Sequence, residues 1–531
     1  MMRATAAVLC VLGVGAVLFG LGDRPAQLRG QVNDFVNIDR PGLNAHNSPA
    51  VAAHPSRPEV VALADRIDTP RFSCSLALSS TGGVTWQPVA LPLAAAAPNC
   101  FWPDVAFTGD GDLLVLYTAT GGRFNLPVGV WLQRLEVRDG AATAGPPVRV
   151  AGPLAFHARL ATDGPRVFVA WVQAGPATAD KPLGFAPAPN PILLARSADA
   201  GATFARPVQV SEDERLVAQP TVLVGPGGQV LVGALDLGDD VLDYEARHQG
   251  RGGPPDDGRW RIAAWSSSDG GATFGDAAVV ADDLVIPARI VVDLAPAPGF
   301  ARDTASGRIY ATWDAGRGDD RDVFLAWSDD AGVTWSAPTR VAPRPRGQLL
   351  PTLGVSPDGR IDVLFYDRTN DPADVMTEVT LASSWDDGQS FATATVSDRP
   401  FDSGIGLGSL QGMPTLGSQL AVLSRPRQAL AFWADTRQGT VSTNVQDLAV
   451  AMVDVRPPAD ARPWVVGLGA TLVACAAGLL AVSARPRSGD RTASSSSPPP
   501  AALAALAPAL SHPGSRRRPP NAPRPRPGPA R

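Results

Sequence analysis

Short apolar strands, each opening on a proline or alanine, recur along the chain 54 to 68 residues apart. They read SPAV (48–51), WPDV (102–105), HARL (157–160), QPTV (219–222), PARI (287–290), LPTL (350–353) and MPTL (413–416). Each leads to a second strand of β-branched and aromatic residues that in several units ends on Asp and Arg, as in VVALADR (60–66), YATWDAGR (310–317), VLFYDR (363–368) and LAFWADTR (430–437). A third strand runs into a short polar box and a fourth leaves it, as in DVFLAWSDDAG (322–332) and TWSAPTRV (334–341). Four strands per unit in seven units predict an all-β, seven-bladed β-propeller of antiparallel sheets. The last unit supplies three strands and ends at LAVAMVDV (448–455). The missing outer strand is expected from the N-terminal QVNDFVNI (31–38), which would join both ends of the domain in one blade and remove an open edge.

The boxes read SSTGGVTW (79–86), SADAGATF (197–204), SSDGGATF (267–274), SDDAGVTW (328–335) and SWDDGQSF (384–391). They fall in the turn between the third and fourth strands. Asp and Ser/Thr at this spacing bond the backbone of their own turn, Gly suits positive φ, and the closing aromatic buries between sheets. Asp199, Asp269, Asp330 and Asp386 are therefore structural residues, since one active site needs one set of carboxylates and not five. The boxes resemble the Asp-boxes, or BNR repeats, of the sialidase-like propellers, over about residues 31–456. That resemblance carries fold more than activity, and because sialidase propellers have six blades, six is the alternative count.

Two other apolar stretches flank the body. Residues 4–22 follow a single Arg3 and read as a cleaved signal peptide or an uncleaved anchor. Residues 464–484 are 21 uncharged residues, long enough for a transmembrane helix, opening on Trp464 and followed by Arg485, Arg487 and Arg491. The resulting division is an N-terminal segment (1–30), an extracytoplasmic propeller (31–460), a membrane helix (464–484) and a disordered, Pro-rich cytoplasmic tail (485–531). The tail carries nine Arg and one acid, so a net charge of −5 for the whole chain leaves −13 on the rest. An acidic body of this kind excludes nucleic acid as an expected partner. Gly and Pro, 53 and 52 residues, agree with many turns. Of four cysteines only Cys74 and Cys100 lie in the body, where an exported compartment permits a disulfide joining the first blade to the second.

Function is sought opposite the boxes, around the mouth of the central channel. There the pattern places Asp65, Arg66, Asp236, Asp314, Arg317, Asp367, Arg368, Asp435 and Arg437, with Asp104, Arg159 and Arg289 at the start of inner strands. The resemblance implies a carboxylate clamp of arginines, a Tyr nucleophile activated by Glu, and an Asp acid/base. Arg159, Arg289 and Arg368 are the candidate clamp, with Arg66, Arg317 and Arg437 as further substrate-binding arginines. Tyr366 is the candidate nucleophile, and Asp65 or Asp104 the acid. No FRIP-type motif appears near the N-terminus, NIDRPG (37–42) does not match one, and no Glu pairs evidently with Tyr366. The loops 173–191 and 236–259 are long enough to be lids or surface insertions. The acidic residues of the second match no EF-type spacing, and Arg317 opens an adhesion-like tripeptide ascribed to chance. No metal, cofactor, P-loop, dinucleotide or GxSxG motif is present, so none is expected. Two readings result: a membrane-tethered propeller binding glycans or proteins at the channel mouth without chemistry, or an exo-glycosidase of sialidase type.

Overall fold

A computed structural model describes residues 2–21, 26–30, 34–36, 44–68, 71–97, 99–122, 125–138, 140–176, 190–212, 216–238, 260–284, 297–317, 320–373, 375–405, 416–458 and 463–483. Residues 22–461 form one compact unit. It is built of seven antiparallel sheets, so the count is seven blades and not six. Blade 1 begins with the strand His46–Ala53, blade 2 with Asn99–Phe107, blade 3 with Ala155–Asp163 and blade 4 with Leu216–Val224. Blades 5, 6 and 7 begin with Gly299–Arg302, Gln348–Val355 and Ala421–Arg425.

The second strand of each blade is the most deeply buried. Val61–Ile67 and Ile361–Asp367 have almost no exposed residue, because neighbouring blades cover both faces of their sheets. That is why these strands read as continuous apolar runs and not as alternating ones. Blade 7 closes as foreseen in kind, but the chain enters earlier. Gln27–Gly30 pairs with 453–456 as the outer strand, and Asp34–Phe35 pairs with Val450 and Ala449. The segment expected as a strand over 31–38 thus contributes only its centre among the described residues. Cys74 and Cys100 form the expected disulfide, their Cα atoms 5.5 Å apart, from the third strand of blade 1 to the inner strand of blade 2.

The boxes act as staples in two directions. Within the turn, Ser328 Oγ donates to Asp330 Oδ1 (2.8 Å), the Gly332 amide donates to Ser328 Oγ (2.8 Å), and the Thr334 amide and hydroxyl donate to the two Asp330 oxygens (2.8 and 2.6 Å). The same bonds recur around Asp199, Asp269 and Asp386. In the worn copy Thr81 replaces the aspartate and its hydroxyl takes the Thr85 amide (2.9 Å). Between blades, the box glycine faces a leucine of the preceding blade: Gly83 faces Leu430, Gly201 faces Leu132, Gly271 faces Leu194, Gly332 faces Leu231 and Gly388 faces Leu325. All five glycines have positive φ, and at Gly83, Gly201, Gly332 and Gly388 the space is too small for a Cβ, while at Gly271 it is only tight, with Leu194 3.2 Å away.

The terminal helices Met2–Leu21 and Pro463–Ser483 form a second unit, described by itself. The latter coincides with the span expected at 464–484. Among the described residues, which for this helix's side chains run over 470–481, no helix is long and apolar enough to cross a membrane. A transmembrane helix is therefore not part of the established architecture. The expected lids fall mainly on residues 177–189 and 239–259, outside the described residues, as do NIDRPG and PARI with its Arg289.

Candidate functional site

Five inner strands share a local device. Ser48, Trp102, His157, Gln219 and Leu350 adopt φ between +46 and +53°, and in four of them a proline follows. The ladder shifts register at each of these positions. A residue before proline is driven from the right-handed helical region, and a bulge turns the following side chains onto a new heading. Beyond the bulge, residues from all seven blades line one central cavity of about 260 Å³.

The polar lining of this cavity is sparse. Asp104 accepts the Val105 amide (3.0 Å) and, across to blade 3, the Leu160 amide (2.9 Å). Burial pushes its carboxyl up, partly offset by Arg159 and these two amides. Arg159 donates to Gln419 Oε1, and Gln419 Nε2 in turn donates to Pro49 O (2.8 Å). Burial pushes the guanidinium down, Asp104 draws it back up and Arg66 opposes it. Gln219 is 2 % exposed, lines the same cavity, and neither Oε1 nor Nε2 has a hydrogen-bond partner among the described residues. A buried amide unpaired at both ends costs roughly 1–3 kcal/mol per group unless something else satisfies it.

The remaining candidates are engaged away from the cavity, most within their own blades, with Arg66 and Arg437 also reaching a neighbouring one. Asp65 meets His46 Nδ1 (2.6 Å) and accepts the Ser75 hydroxyl. Arg66 is fully buried, paired with Asp68 (2.7 Å) and stacked 4.4 Å from the Phe101 ring centroid. Asp236 pairs with Arg261, and Asp314 with Arg321 (2.7 Å). Asp367 accepts the Thr369 amide (2.9 Å) and lies 3.4 Å from Arg344. Arg368 donates to Thr377 (3.2 Å) and Ser403 (2.8 Å). Arg437 meets Asp435 (2.8 Å) and Asp398 and lies over Phe35. Asp435 is pushed up to about 6 by burial, with the Asp447 charge adding to it. The Arg317 side chain and Arg289 lie outside the described residues.

Tyr366 differs most from its expected place. Its side chain is wholly buried between blades 6 and 7, where the hydroxyl donates to Ala434 O and accepts the Ala434 amide (3.2 Å each). Burial raises the phenol far above its ordinary value. Tyr366, Asp65 and Asp104 each bond to different residues, and Arg66, Arg159, Arg368 and Arg437 do not converge on one pocket. Among the described residues no cluster of three His, Cys, Asp or Glu could hold a metal ion. Sequence reasoning missed Gln219 and Gln419. Gln219 opens the fourth apolar marker, and its signal was the proline after it.

No family model and no curated protein matches this chain. Among solved structures, a PL25 ulvan lyase described as a polysaccharide lyase is 12 % identical, with 81 % of this chain and 98 % of that chain covered at a TM-score of 0.48. A protein of unknown function from Dyadobacter fermentans DSM 18053 is 13 % identical, with 81 % and 99 % covered and a TM-score of 0.43. A Hadza microbial sialidase is 12 % identical, with 74 % and 73 % covered and a TM-score of 0.37. No residue role is carried over from any of them.

Proposed function

We propose that this chain is a membrane-tethered, extracytoplasmic propeller that binds a glycan or protein ligand at its channel and does no chemistry on it. One contrast carries the reading. Most of the acids and arginines that a glycosidase would need are spent on ion pairs and hydrogen bonds inside single blades. The Gln219 amide, which shares the lining of the channel with Arg159, has both ends unpaired among the described residues. A planar amide with donor and acceptor groups, in one cavity with a guanidinium, suits a sugar hydroxyl pair or a polar side chain. At about 260 Å³ the cavity lies just under the usual range of ligand clefts, from roughly 300 Å³. It takes one sugar ring or one side chain, not a larger body. The tether rests on the uncharged segment 464–484 and the arginines behind it.

The direct test of the non-catalytic part is hydrolysis of a fluorogenic sialoside by the full chain, with Tyr366→Phe alongside. The expected result is no turnover by either. Turnover abolished in Tyr366→Phe would replace this reading with a sialidase.

A further inference from the structure

We infer that the N-terminal helix is not a cleaved leader but a permanent half of the anchor, packed antiparallel against the C-terminal helix in lipid. The inference rests on the tethered reading above and deepens it.

The first observation is where the chain leaves the propeller. Gln27 and Arg456 are partners in the closing blade, so the chain enters and leaves that blade at neighbouring strand positions. Partnered residues across an antiparallel ladder are about 5 Å apart. Five and six residues later come the helices Met2–Leu21 and Pro463–Ser483, the first joined by its C-terminus and the second by its N-terminus.

The second observation is within the helical unit. The two helices pack along each other, and each buries one stripe. On the first the stripe is Ala6, Leu9 and Cys10, and on the second Leu472, Val473, Ala476 and Leu479, both at the three-to-four spacing of a helix face. Ala6 and Ala476 are 0 % and 1 % exposed. Helices tied to neighbouring points by opposite ends can lie side by side only antiparallel. Cys10 and Ala474 are each 11 residues from the ends of their helices nearer the propeller in sequence, so antiparallel packing would set Cys10 level with Ala474 and Cys475.

The third observation says what covers the rest. Of ten large apolar side chains exposed among the described residues, five lie on these helices: Val8, Val11, Leu12, Val14 and Leu480. Apart from Arg3, neither helix carries a charge. At about 1.5 Å per residue, 20 and 21 residues measure about 30 Å, the depth of a hydrocarbon layer. A pair with one shared seam and apolar outer faces fits lipid. Removal of the first helix would expose Leu472, Val473, Ala476 and Leu479 of the second.

The test uses the full chain in native membranes and its two unpaired cysteines, Cys10 and Cys475. Membranes are washed with alkaline carbonate, treated with a short bismaleimide, and the protein is read by intact mass and peptide mapping. The expected result is a membrane-retained chain that keeps residues 1–26 and carries a Cys10–Cys475 link within one chain, lost in Cys10→Ser. A membrane-retained chain lacking residues 1–26 overturns the inference and leaves the tether standing. A chain that keeps them without the link overturns the pairing. Release by carbonate with the link intact overturns the membrane reading itself.

Discussion

Gly332→Ala puts a number on how the blades are held together. Gly332 has φ +93°, and a Cβ there would overlap Leu231 Cδ1 of the preceding blade and lie 3.0 Å from Ser266 Oγ. Forcing an L-residue into the left-handed region costs roughly 1–2 kcal/mol. Overpacking a well-filled contact adds roughly 1–3 kcal/mol. The sum is about 2–5 kcal/mol. Gly307 separates the two parts, having φ +82° with no heavy atom within 4 Å of the added carbon, so Gly307→Ala should cost only the roughly 1–2 kcal/mol of backbone strain. Urea unfolding of the full chain, followed by tryptophan fluorescence, measures both. Adding Leu231→Ala to Gly332→Ala opens the space, so the double variant should be more stable than the sum of the single losses predicts. Equal losses at Gly332 and Gly307, with additive behaviour at Leu231, would refute the staple between blades and leave the glycine only its turn.

Two sets of carboxylates should bend the acid side of the stability profile in opposite directions. Asp435 has its carboxyl raised to about 6, so ionising it in the folded state costs stability that is absent below pH 4 and complete above pH 6. Raising a carboxyl from 3.8 to about 6 corresponds to about 3 kcal/mol, and Asp435→Asn should flatten that decline in unfolding measured between pH 4 and 7. The box aspartates run the other way. Hydrogen bonds from Thr203 and Ser197 lower Asp199 to about 2, so its contribution is present above pH 4 and is lost as pH falls towards 2, a loss that Asp199→Asn should not show. Tyr366→Phe gives up the bond to Ala434 O and leaves the Ala434 amide without its acceptor, so thermal unfolding should show a loss of about 1–3 kcal/mol with ligand binding unchanged.

What the sequence made legible follows the range of the interactions. The boxes were readable because every bond inside them joins residues at most four apart, as Gly201 to Ser197 and Thr203 to Asp199, or Gly332 to Ser328 and Thr334 to Asp330. The seven-fold repeat was readable because the apolar marker recurs seven times and lies within five inner strands, whereas in blades 5 and 7 the strands Gly299–Arg302 and Ala421–Arg425 begin after PARI and MPTL. The closing strand was expected a few residues late, since Gln27–Gly30 is short and polar and only its partner at 453–456 marks it as a strand. Tyr366 was read as a mouth residue because it precedes Asp-Arg at a strand end. Its blade is covered on both sides, and its hydroxyl finds Ala434 sixty-eight residues away. The same distance problem hid the partners of the arginines: Arg66 meets Asp68 nearby, but Arg368 turns to Ser403 and Arg159 to Gln419. Gln219 stood in view at the head of the QPTV marker, but nothing in a sequence marks an amide as unpaired.

The central claim is that the channel holds a ligand through Gln219 and Arg159 and returns it unchanged. The most direct measurement exposes the full chain, Gln219→Ala and Arg159→Met to a mixed library of neutral and acidic oligosaccharides and peptides, then identifies by mass spectrometry what is retained. The account predicts intact ligands held by the unaltered chain and lost from both variants. Cleaved products, or retention that neither substitution weakens, would contradict it.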